Sequence, residues 1–276
     1  MKFLKSRLFK NCLWGIAITL IAIIAIFPFV WMLLISLKTR VLTYDPSVWF
    51  FKPTLENYLA IFQERHILFF AKNSLIVVFS TTIISLIFGS IAAYGFARFS
   101  FSKKEDFAFW ILSLRMLPPM ATVIPFFVLA KFTGLLDTHL ILILSYMTFN
   151  IPFSIWMMRG FFEEIPRQVE EAASVDGCSH WQIFTKILLP LSLPGLTATA
   201  IFCIIQSWNE FAFALFLTGF NARTLPTTAS FFLSVTGVIW GEMSAVGVLT
   251  VLPVLIFAML VQRYMIRGLT FGAIKQ

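Results

Sequence analysis

Residues 11–37 read NCLWGIAITLIAIIAIFPFVWMLLISL, a run of 27 positions without a charged side chain. Because a helix rises about 1.5 Å per residue, roughly 20 apolar residues cross a hydrocarbon core of about 30 Å. The run is also longer than the apolar region of a secretory signal peptide, which has about 7–15 residues. It follows Lys2, Lys5, Arg7 and Lys10. We therefore expect a retained anchor that forms the first membrane helix.

Five further runs have the length of a membrane helix. With the first, they predict spans at residues 11–37, 73–97, 107–130, 140–158, 191–217 and 243–262. Only 12% of the residues are charged, about half the share in an ordinary soluble domain. Lipid-embedded backbone must satisfy its hydrogen bonds within each segment, and the runs lack the strict alternation of barrel strands. The sequence therefore predicts an all-α, polytopic membrane protein with six transmembrane helices in a single transmembrane domain over residues 1–276.

The net charge of +8 has a pattern along the chain. With the N-terminus inside, 13 of the 21 Lys and Arg lie on the inner side of the predicted spans, 7 lie on the outer side, and Arg115 lies within the third run. Lys and Arg are enriched in the cytoplasmic loops of membrane proteins. This bias and the even number of spans predict that both termini are cytoplasmic. They also account for the basic charge without a nucleic-acid partner.

The sequence contains no recognisable catalytic or metal site. The three cysteines are odd in number and scattered, and the three histidines share no ligand spacing with one another or with the cysteines. No phosphate-binding loop, dinucleotide fingerprint or nucleophile elbow is present. We therefore expect that this chain is not an enzyme and binds no cofactor or metal of its own.

The predicted inner loop, residues 159–190, has the signals of two helices. Pro166 suits the first turn of a helix over Arg167–Val175, and Asp176-Gly177 offers its C-terminal stop. Ser179 and Gln182 have the spacing of a capping box, which begins a second helix. The pattern predicts a helix–turn–helix on the cytoplasmic side.

The charge of this loop favours a protein partner. We expect Glu163, Glu164, Glu170 and Glu171 in its first helix. An anionic inner leaflet would repel such a helix, whereas a groove on another protein can accept it.

The same loop resembles that of the permease subunits of bacterial ATP-binding-cassette importers, which reads Glu-Ala-Ala, three residues, Gly, nine residues, Ile-x-Leu-Pro. This chain has Glu171-Ala172-Ala173, Gly177 and Ile187-Leu188-Leu189-Pro190, so every fixed position and both spacings match. The resemblance implies that the loop is a coupling helix whose turn sits in a cleft of a separate ATPase. The implied ATPase-coupling residues are Glu170, Glu171, Ala172, Ala173, Asp176, Gly177, Ile187 and Pro190.

Short motifs elsewhere resemble the carbohydrate-uptake branch of these importers, the maltose and glycerol-phosphate type. They are Leu55-Glu56-Asn57-Tyr58, Gly134-Leu135-Leu136-Asp137-Thr138, Trp208-Asn209-Glu210-Phe211, Gln262-Arg263-Tyr264, Arg267-Gly268-Leu269-Thr270 and Gly272.

The resemblance to this branch implies the solute and the partners. The solute is sugar or sugar-like, an oligosaccharide, a polyol or glycerol phosphate, and an extracytoplasmic solute-binding protein delivers it. A second, different permease chain completes the pathway. Two ATPase subunits bind ATP and Mg beneath it, and the complex lies in the bacterial cytoplasmic (inner) membrane.

Polar residues at membrane depth are candidates for the translocation pathway because leaving them in lipid is costly. The candidates are Arg115, Asn150, Trp208, Asn209 and Glu210. Asn150 either faces Arg115 across the pathway or makes an interhelical hydrogen bond that holds the bundle together. Residues 208–210 either contact solute or pack at a subunit interface. Since Arg115 and Glu210 differ in depth by roughly 11 Å at 1.5 Å per residue, we expect no direct ion pair between them.

Alternative functions are an ion-coupled secondary transporter, an importer permease for a non-sugar solute and a membrane enzyme. Secondary transporters usually contain internal repeats, and none relates residues 1–138 to 139–276. A membrane enzyme would need a constellation of nucleophile, base or metal ligands.

Overall fold

The computed structural model describes residues 2–234 and 237–270 and consists mainly of helices. The apolar runs are helical because a helix pairs its backbone N–H and C=O groups within the segment. The helices are α1 (Lys2–Ser36), α2 (Glu56–Gln63), α3 (Ile67–Arg98), α4 (Lys104–Ser113), α5 (Pro119–Thr133), α6 (His139–Glu164), α7 (Arg167–Val175), α8 (His180–Ile183), α9 (Leu189–Leu191), α10 (Leu193–Trp208), α11 (Ala212–Leu217) and α12 (Trp240–Thr270).

Short elements join some of these helices. 3-10 helices cover Leu42–Tyr44, Leu114–Met116 and Pro226–Phe232, and a π-helix covers Phe184–Leu188. Two-residue strands β1 (Leu233–Ser234) and β2 (Gly237–Val238) form a small antiparallel pair.

Four helices are long and apolar enough to cross a membrane within the described residues. They are Leu13–Ser36 of α1, all of α3, all of α6 and Trp240–Met259 of α12. Two bent pairs, α4 with α5 at 91° and the helix His180–Leu191 with α10 at 77°, also pass the test, so the number is six if each pair is one span. The predicted all-α polytopic fold is confirmed. The bilayer boundaries and the single-domain organisation stay predictions.

Prolines account for both bends. Leu117 and Pro118 are extended, with ψ of 126° and 128°, because a residue that precedes proline disfavours the helical conformation. α5 then begins at Pro119, where the missing N–H costs little. At the second bend Ser192 leaves helical geometry, with φ −90° and ψ 10°, two residues before Pro194.

The helix before the inner loop is longer than predicted. α6 continues to Glu164, past the predicted end of the fourth span at residue 158. Glu163 and Glu164 therefore belong to α6, and their assignment to the first helix of the loop is wrong. Glu163 pairs instead with Arg159, one turn earlier, at an Nε–Oε1 distance of 2.7 Å. A continuous apolar-to-polar helix gives no sequence signal at the point where it leaves the bilayer.

Contacts between residues divide the chain into two compact units. The first comprises Met1–Ile67 and Ala229–Val251. Within it Asn57, from the Leu-Glu-Asn-Tyr motif, is fully buried. Its side-chain amide donates to the carbonyl oxygens of Ser36 and Lys38 at 2.9 and 2.7 Å. These bonds satisfy carbonyls at the end of α1, where a helix has no internal donors left.

The second unit comprises Leu68–Thr228 and Leu252–Gln276. In this unit α3 and α6 approach closely, since a Cβ at Gly89 would lie 2.3 Å from the Ser154 Cβ. Two apolar clusters lie toward opposite ends of α6. The first contains Val77, Val123, Ala130, Ile141, Leu142, Tyr146, Phe213, Ala214 and Leu217. The second contains Ala93, Tyr94, Ala97, Met158, Phe162, Ala173, Ile183, Phe184 and Leu188, and it joins α7 and α8 to the long helices.

Candidate functional site

A tight turn joins α7 to α8, and we call α7, this turn and α8 the loop hairpin. Gly177 makes the turn with a φ of +85°, a left-handed conformation that glycine adopts at little cost. The Gly177 and Cys178 N–H groups donate to the carbonyls of Ser174 and Ala173 at 3.1 and 3.0 Å. These bonds close the end of α7 in the manner of a glycine C-cap. A Cβ at Gly177 would meet nothing within 4 Å, so the turn is open to its surroundings.

The start of α8 has the capping box that the sequence predicts. The Ser179 N–H donates to Gln182 Oε1 at 2.8 Å, and the Gln182 N–H donates to Ser179 Oγ at 3.3 Å. From α8 the chain continues through the π-helix Phe184–Leu188 into α9. The predicted helix–turn–helix is confirmed.

The loop hairpin and the segment that follows it to Pro190 have one buried face and one exposed face. Ala173, Ile183 and Leu188 are buried in the cluster that includes Phe162 of α6. Ile187 is half-buried. The exposed members of the expected coupling set are Glu171, Ala172, Asp176, Gly177 and Pro190. Val175, which was not predicted from the sequence, is 87% exposed and adds an apolar contact point beside the turn.

Glu170 differs from its neighbours because its carboxylate forms an ion pair with Arg98, the last residue of α3. The exposed fractions of the two side chains are 13% for Glu170 and 8% for Arg98. A second nitrogen of Arg98, Nη2, donates to the Ile165 carbonyl at 2.9 Å. Glu170 was expected among the residues that face an ATPase, but the structure places its carboxylate against α3 of the same chain.

Arg115 lies in the 3-10 turn between α4 and α5, beside a cavity of about 350 Å³. Its Nη2 donates to Gln206 Oε1 at 3.1 Å, and its Cζ lies 4.7 Å from the centroid of the Phe153 ring. Gln206 was not predicted from the sequence, although a lone amide inside an apolar run is the signal that points to it. The cavity walls are Leu114, Arg115, Leu117, Pro119, Thr122, Phe126, Thr148, Phe149, Gln206, Glu210 and Phe213.

Glu210 is the only residue of the 208–210 segment among these cavity walls. Its carboxylate accepts the N–H groups of Phe213 and Ala214 at 3.0 and 3.3 Å, which caps the start of α11. Trp208 is buried, whereas Asn209 is exposed and donates back to a carbonyl of its own helix. The cavity therefore contains a guanidinium and a carboxylate within largely apolar walls.

Asn150 is not among the cavity walls. Its side chain is fully buried, and its Nδ2 donates to Ser207 Oγ at 2.7 Å, which joins α6 to α10. Of the two alternatives for Asn150, the structure shows the interhelical hydrogen bond, and a role of Asn150 in the pathway stays a prediction.

Asp137 forms a clamp between α5 and the segment after α11, and its motif did not reveal this role. Its carboxylate accepts the backbone N–H groups of Gly219, Phe220, Asn221 and Ala222 at 2.9–3.2 Å. Burial raises the pKa of this carboxyl, but the hydrogen bonds from the Ala222, Asn221 and Gly219 N–H groups and from the Asn221 side chain together outweigh burial and hold the pKa below its usual value.

Residues 85–271 match the family described as binding-protein-dependent transport system inner membrane component. The chain belongs to this family of permeases. This permease is 34% identical over 276 residues to the trehalose/maltose transport system permease protein MalG of Thermococcus litoralis, with 99% of each chain covered. It is 37% identical over 271 residues to the probable ABC transporter permease protein y4oR of Sinorhizobium fredii, with 98% of each covered.

Solved structures show the same fold. The permease superposes on a chain from the crystal structure of a bacterial ABC transporter involved in the import of the acidic polysaccharide alginate, with a TM-score of 0.80 and 24% identity. The match covers 94% of the permease and 96% of that chain. The predicted resemblance to importer permeases of the carbohydrate-uptake branch is confirmed.

The roles of individual residues of the permease stay predictions. The motif residues from Gln262 to Thr270 lie in α12, where the side chains are not described, and Gly272 lies outside the described residues. Within residues 2–234 and 237–270, no group of three or more His, Cys, Asp or Glu side chains could hold a metal ion.

Proposed function

We propose that this permease is one of two membrane subunits of an ATP-driven importer and that it passes a sugar or sugar-like solute into the cytoplasm. One structural observation carries the proposal, namely the exposed Gly177 turn at the tip of a hairpin whose opposite face is buried against the membrane helices. Such a turn can enter a cleft on another protein while its base moves with the bundle. Because the hairpin is fixed to α3 and α6, a displacement at its tip reaches the pathway.

The proposal includes the partners of such an importer. A separate ATPase dimer binds ATP and Mg and receives the turn, with Ala172, Val175 and Gly177 closest to its surface. Glu171 and Asp176 are exposed beside the turn and are placed to pair with basic groups of that partner. An extracytoplasmic binding protein delivers the solute from the other side. Both termini are cytoplasmic, and a second permease chain completes the pathway.

The solute class is supported by the relatives and by the cavity. Besides the trehalose/maltose permease, relatives include the diacetylchitobiose uptake system permease protein DasC of Streptomyces coelicolor, which is 31% identical over 275 residues. In the cavity, Arg115, Gln206 and Glu210 offer hydrogen bonds between the aromatic walls Phe126 and Phe149. A few placed polar groups in an apolar pocket are suited to a polyhydroxylated solute. An oligosaccharide, a polyol and glycerol phosphate all fit this description.

The test is a Gly177→Glu substitution, assayed by uptake of labelled trehalose, maltose and glycerol 3-phosphate in cells with the complete transporter. Glutamate at φ +85° strains the turn, and its side chain occupies the space that an ATPase would fill. We expect the variant to reach the membrane at normal abundance and to lose uptake. The matched control is Gly160→Glu, which adds the same charge at an exposed glycine of α6 that also has open space.

The energy source is measured in the same cells. Removal of the ATPase partner should abolish uptake, and a proton uncoupler added while ATP is maintained should not. Uptake that survives in Gly177→Glu contradicts the docking role of the turn. Uptake that an uncoupler abolishes at constant ATP favours the ion-coupled secondary transporter, and a wild type that carries only non-sugar solutes contradicts the sugar assignment.

A further inference from the structure

Three helices meet at the side chain of Arg98. Arg98 ends α3, its Nε pairs with the Glu170 carboxylate in α7, and its Nη2 donates to the carbonyl of Ile165, the C-cap residue of α6. A guanidinium presents its donors in a rigid planar fork, so both acceptors are held at a fixed geometry relative to α3.

The Arg98–Glu170 ion pair is better shielded from solvent than the two ion pairs that Arg159 forms with Glu105 and Glu163. The exposed fractions are 8% for Arg98 and 13% for Glu170, whereas Arg159 at 14% pairs with Glu105 at 71%. Water and salt screen an exposed pair strongly and a buried pair weakly. The Arg98–Glu170 pair is therefore the one suited to resist a mechanical displacement.

An apolar contact near the ion pair joins α3 to α6 and to the π-helix that follows α8, independently of the charges. Tyr94, one turn before Arg98, packs against Phe162 of α6 and Phe184 of the π-helix, with ring centroids 6.4 and 5.2 Å away. A cavity of about 440 Å³ lies beside Arg98 and Glu170. If the ion pair is removed, the aromatic contact keeps the loop hairpin seated, and the cavity gives α7 room to tilt.

We propose that Arg98 is a positioning residue that makes α7 and α3 move as one body when the ATPases displace the loop hairpin. The inference rests on the proposed coupling role of that hairpin and adds the route by which its movement reaches a membrane helix. Without the pair, the ATPase still docks at the Gly177 turn, but α7 tilts into the cavity and α3 stays behind.

The experiment measures the distance between α7 and α3 in the assembled transporter, in a background without native cysteines. Spin labels are placed at Gln168 in α7 and Phe88 in α3, both exposed, and pulsed electron paramagnetic resonance is recorded without nucleotide and with ATP and vanadate. The variants are Arg98→Gln, Glu170→Gln and the double substitution, with Glu105→Gln as the control at the exposed pair. ATP hydrolysis and the amount of co-purified ATPase are measured on the same samples.

In the wild type and in Glu105→Gln, we expect the Gln168–Phe88 distance to stay unchanged when ATP and vanadate are added. In Arg98→Gln and Glu170→Gln it should shift or broaden, with ATPase still co-purified. Uptake per ATP hydrolysed should fall by at least about fivefold, the lower range of coupling between sites. Because Arg98→Gln already removes the ion pair together with the bond to the Ile165 carbonyl, the double substitution should be no worse than Arg98→Gln.

Two results would overturn the inference. One is a distance distribution in Arg98→Gln that matches the wild type under both conditions. The other is loss of co-purified ATPase, which would make the pair a purely structural support of the docking surface. Gly177→Glu in the same assays separates this inference from the proposed function. If Gly177→Glu keeps its uptake, the coupling role of the loop hairpin fails. If Gly177→Glu loses uptake but Arg98→Gln behaves as wild type, the coupling role stands and the route through Arg98 fails.

Discussion

Asp137 shows how one side chain fixes the chain between two helices. It adopts a left-handed backbone, with φ +59°, and directs its carboxylate at four consecutive backbone N–H groups of residues 219–222. Those N–H groups belong to a loop without sheet or helix partners, so the carboxylate satisfies donors that would otherwise need water. Glycine at position 219 lets the backbone approach the Asp137 carboxylate closely, since a Cβ there would lie 3.1 Å from Asp137 Oδ2.

We predict that Asp137→Asn destabilises the permease by about 1–2 kcal/mol, the lower range for charge-assisted hydrogen bonds because this carboxylate is partly exposed. Asparagine tolerates the left-handed backbone, so the substitution removes the charge and replaces one acceptor oxygen by a donor NH2 group without added backbone strain. Unfolding of the detergent-solubilised protein and proteolysis within residues 218–225 measure the effect. Asp106→Asn, at an exposed aspartate of α4, is the control.

The pH dependence of this effect has a definite sign. The folded pKa of Asp137 is lower than the unfolded value of about 3.9, so the stabilisation is complete above that value and is lost as the pH falls through the folded pKa. The difference between wild type and Asp137→Asn should be constant from pH 5 to 8 and shrink below about pH 4. A difference that disappears already at pH 6 would contradict the clamp.

For the cavity, the sequence predicts the charged residues but not their hydrogen-bond partners. Arg115 and Glu210 were identifiable because a charge in an apolar run is costly. Their partners were not, since Gln206 reaches Arg115 and Ser207 reaches Asn150 only after α10 packs against its neighbours. Adjacent residues on one helix, 206 and 207, thus serve different contacts, and no pattern in the sequence states which helix each one faces.

At the scale of elements, the loop hairpin was predictable because its signals are local. Pro166, the Asp176-Gly177 stop and the Ser179/Gln182 cap each act within one or two turns, and the structure has α7 and α8 at the expected places. The bends between helices were harder to predict from the sequence. Pro118 and Pro119 mark a break in the third run, but its angle of 91° depends on how α4 and α5 pack afterwards.

We predict that Ser179→Ala weakens the start of α8 and lowers the stability of the permease by about 1 kcal/mol, the usual cost of removing an N-cap hydroxyl. The Gln182 N–H then loses its acceptor, and the reciprocal bond to the Ser179 N–H is less well oriented. Thermal unfolding in detergent measures the loss. Ser174→Ala is a matched control, because Ser174 is an exposed serine whose hydroxyl bonds within α7. Equal effects of the two substitutions would contradict a capping role.

At the scale of the whole molecule, composition and run length were sufficient for the all-α membrane fold, because lipid permits few other arrangements. Composition and run length did not predict where the chain bends or which helices cross the membrane alone. Within residues 2–234 and 237–270, four helices are long and apolar enough to be spans, and the number is six only if each bent pair crosses. Neither limb of the first pair spans the bilayer alone, since the 15 residues of α5 extend only roughly 22 Å at 1.5 Å per residue.

We predict that both bent pairs cross the membrane, because a change of side at each of them places 13 of the 21 Lys and Arg on the inner side, as the cytoplasmic bias of these residues favours. Single cysteines at Ser102 and Lys131 flank the first pair, and cysteines at Val175 and Leu233 flank the second, all at exposed positions. A membrane-impermeant maleimide added to intact cells should label Lys131→Cys and Leu233→Cys and leave the other two unlabelled. All four should react in permeabilised cells, which controls for buried thiols. If Ser102→Cys and Lys131→Cys react from the same side, the first pair is a re-entrant loop, and the positions of the N- and C-termini relative to the membrane must then differ from each other.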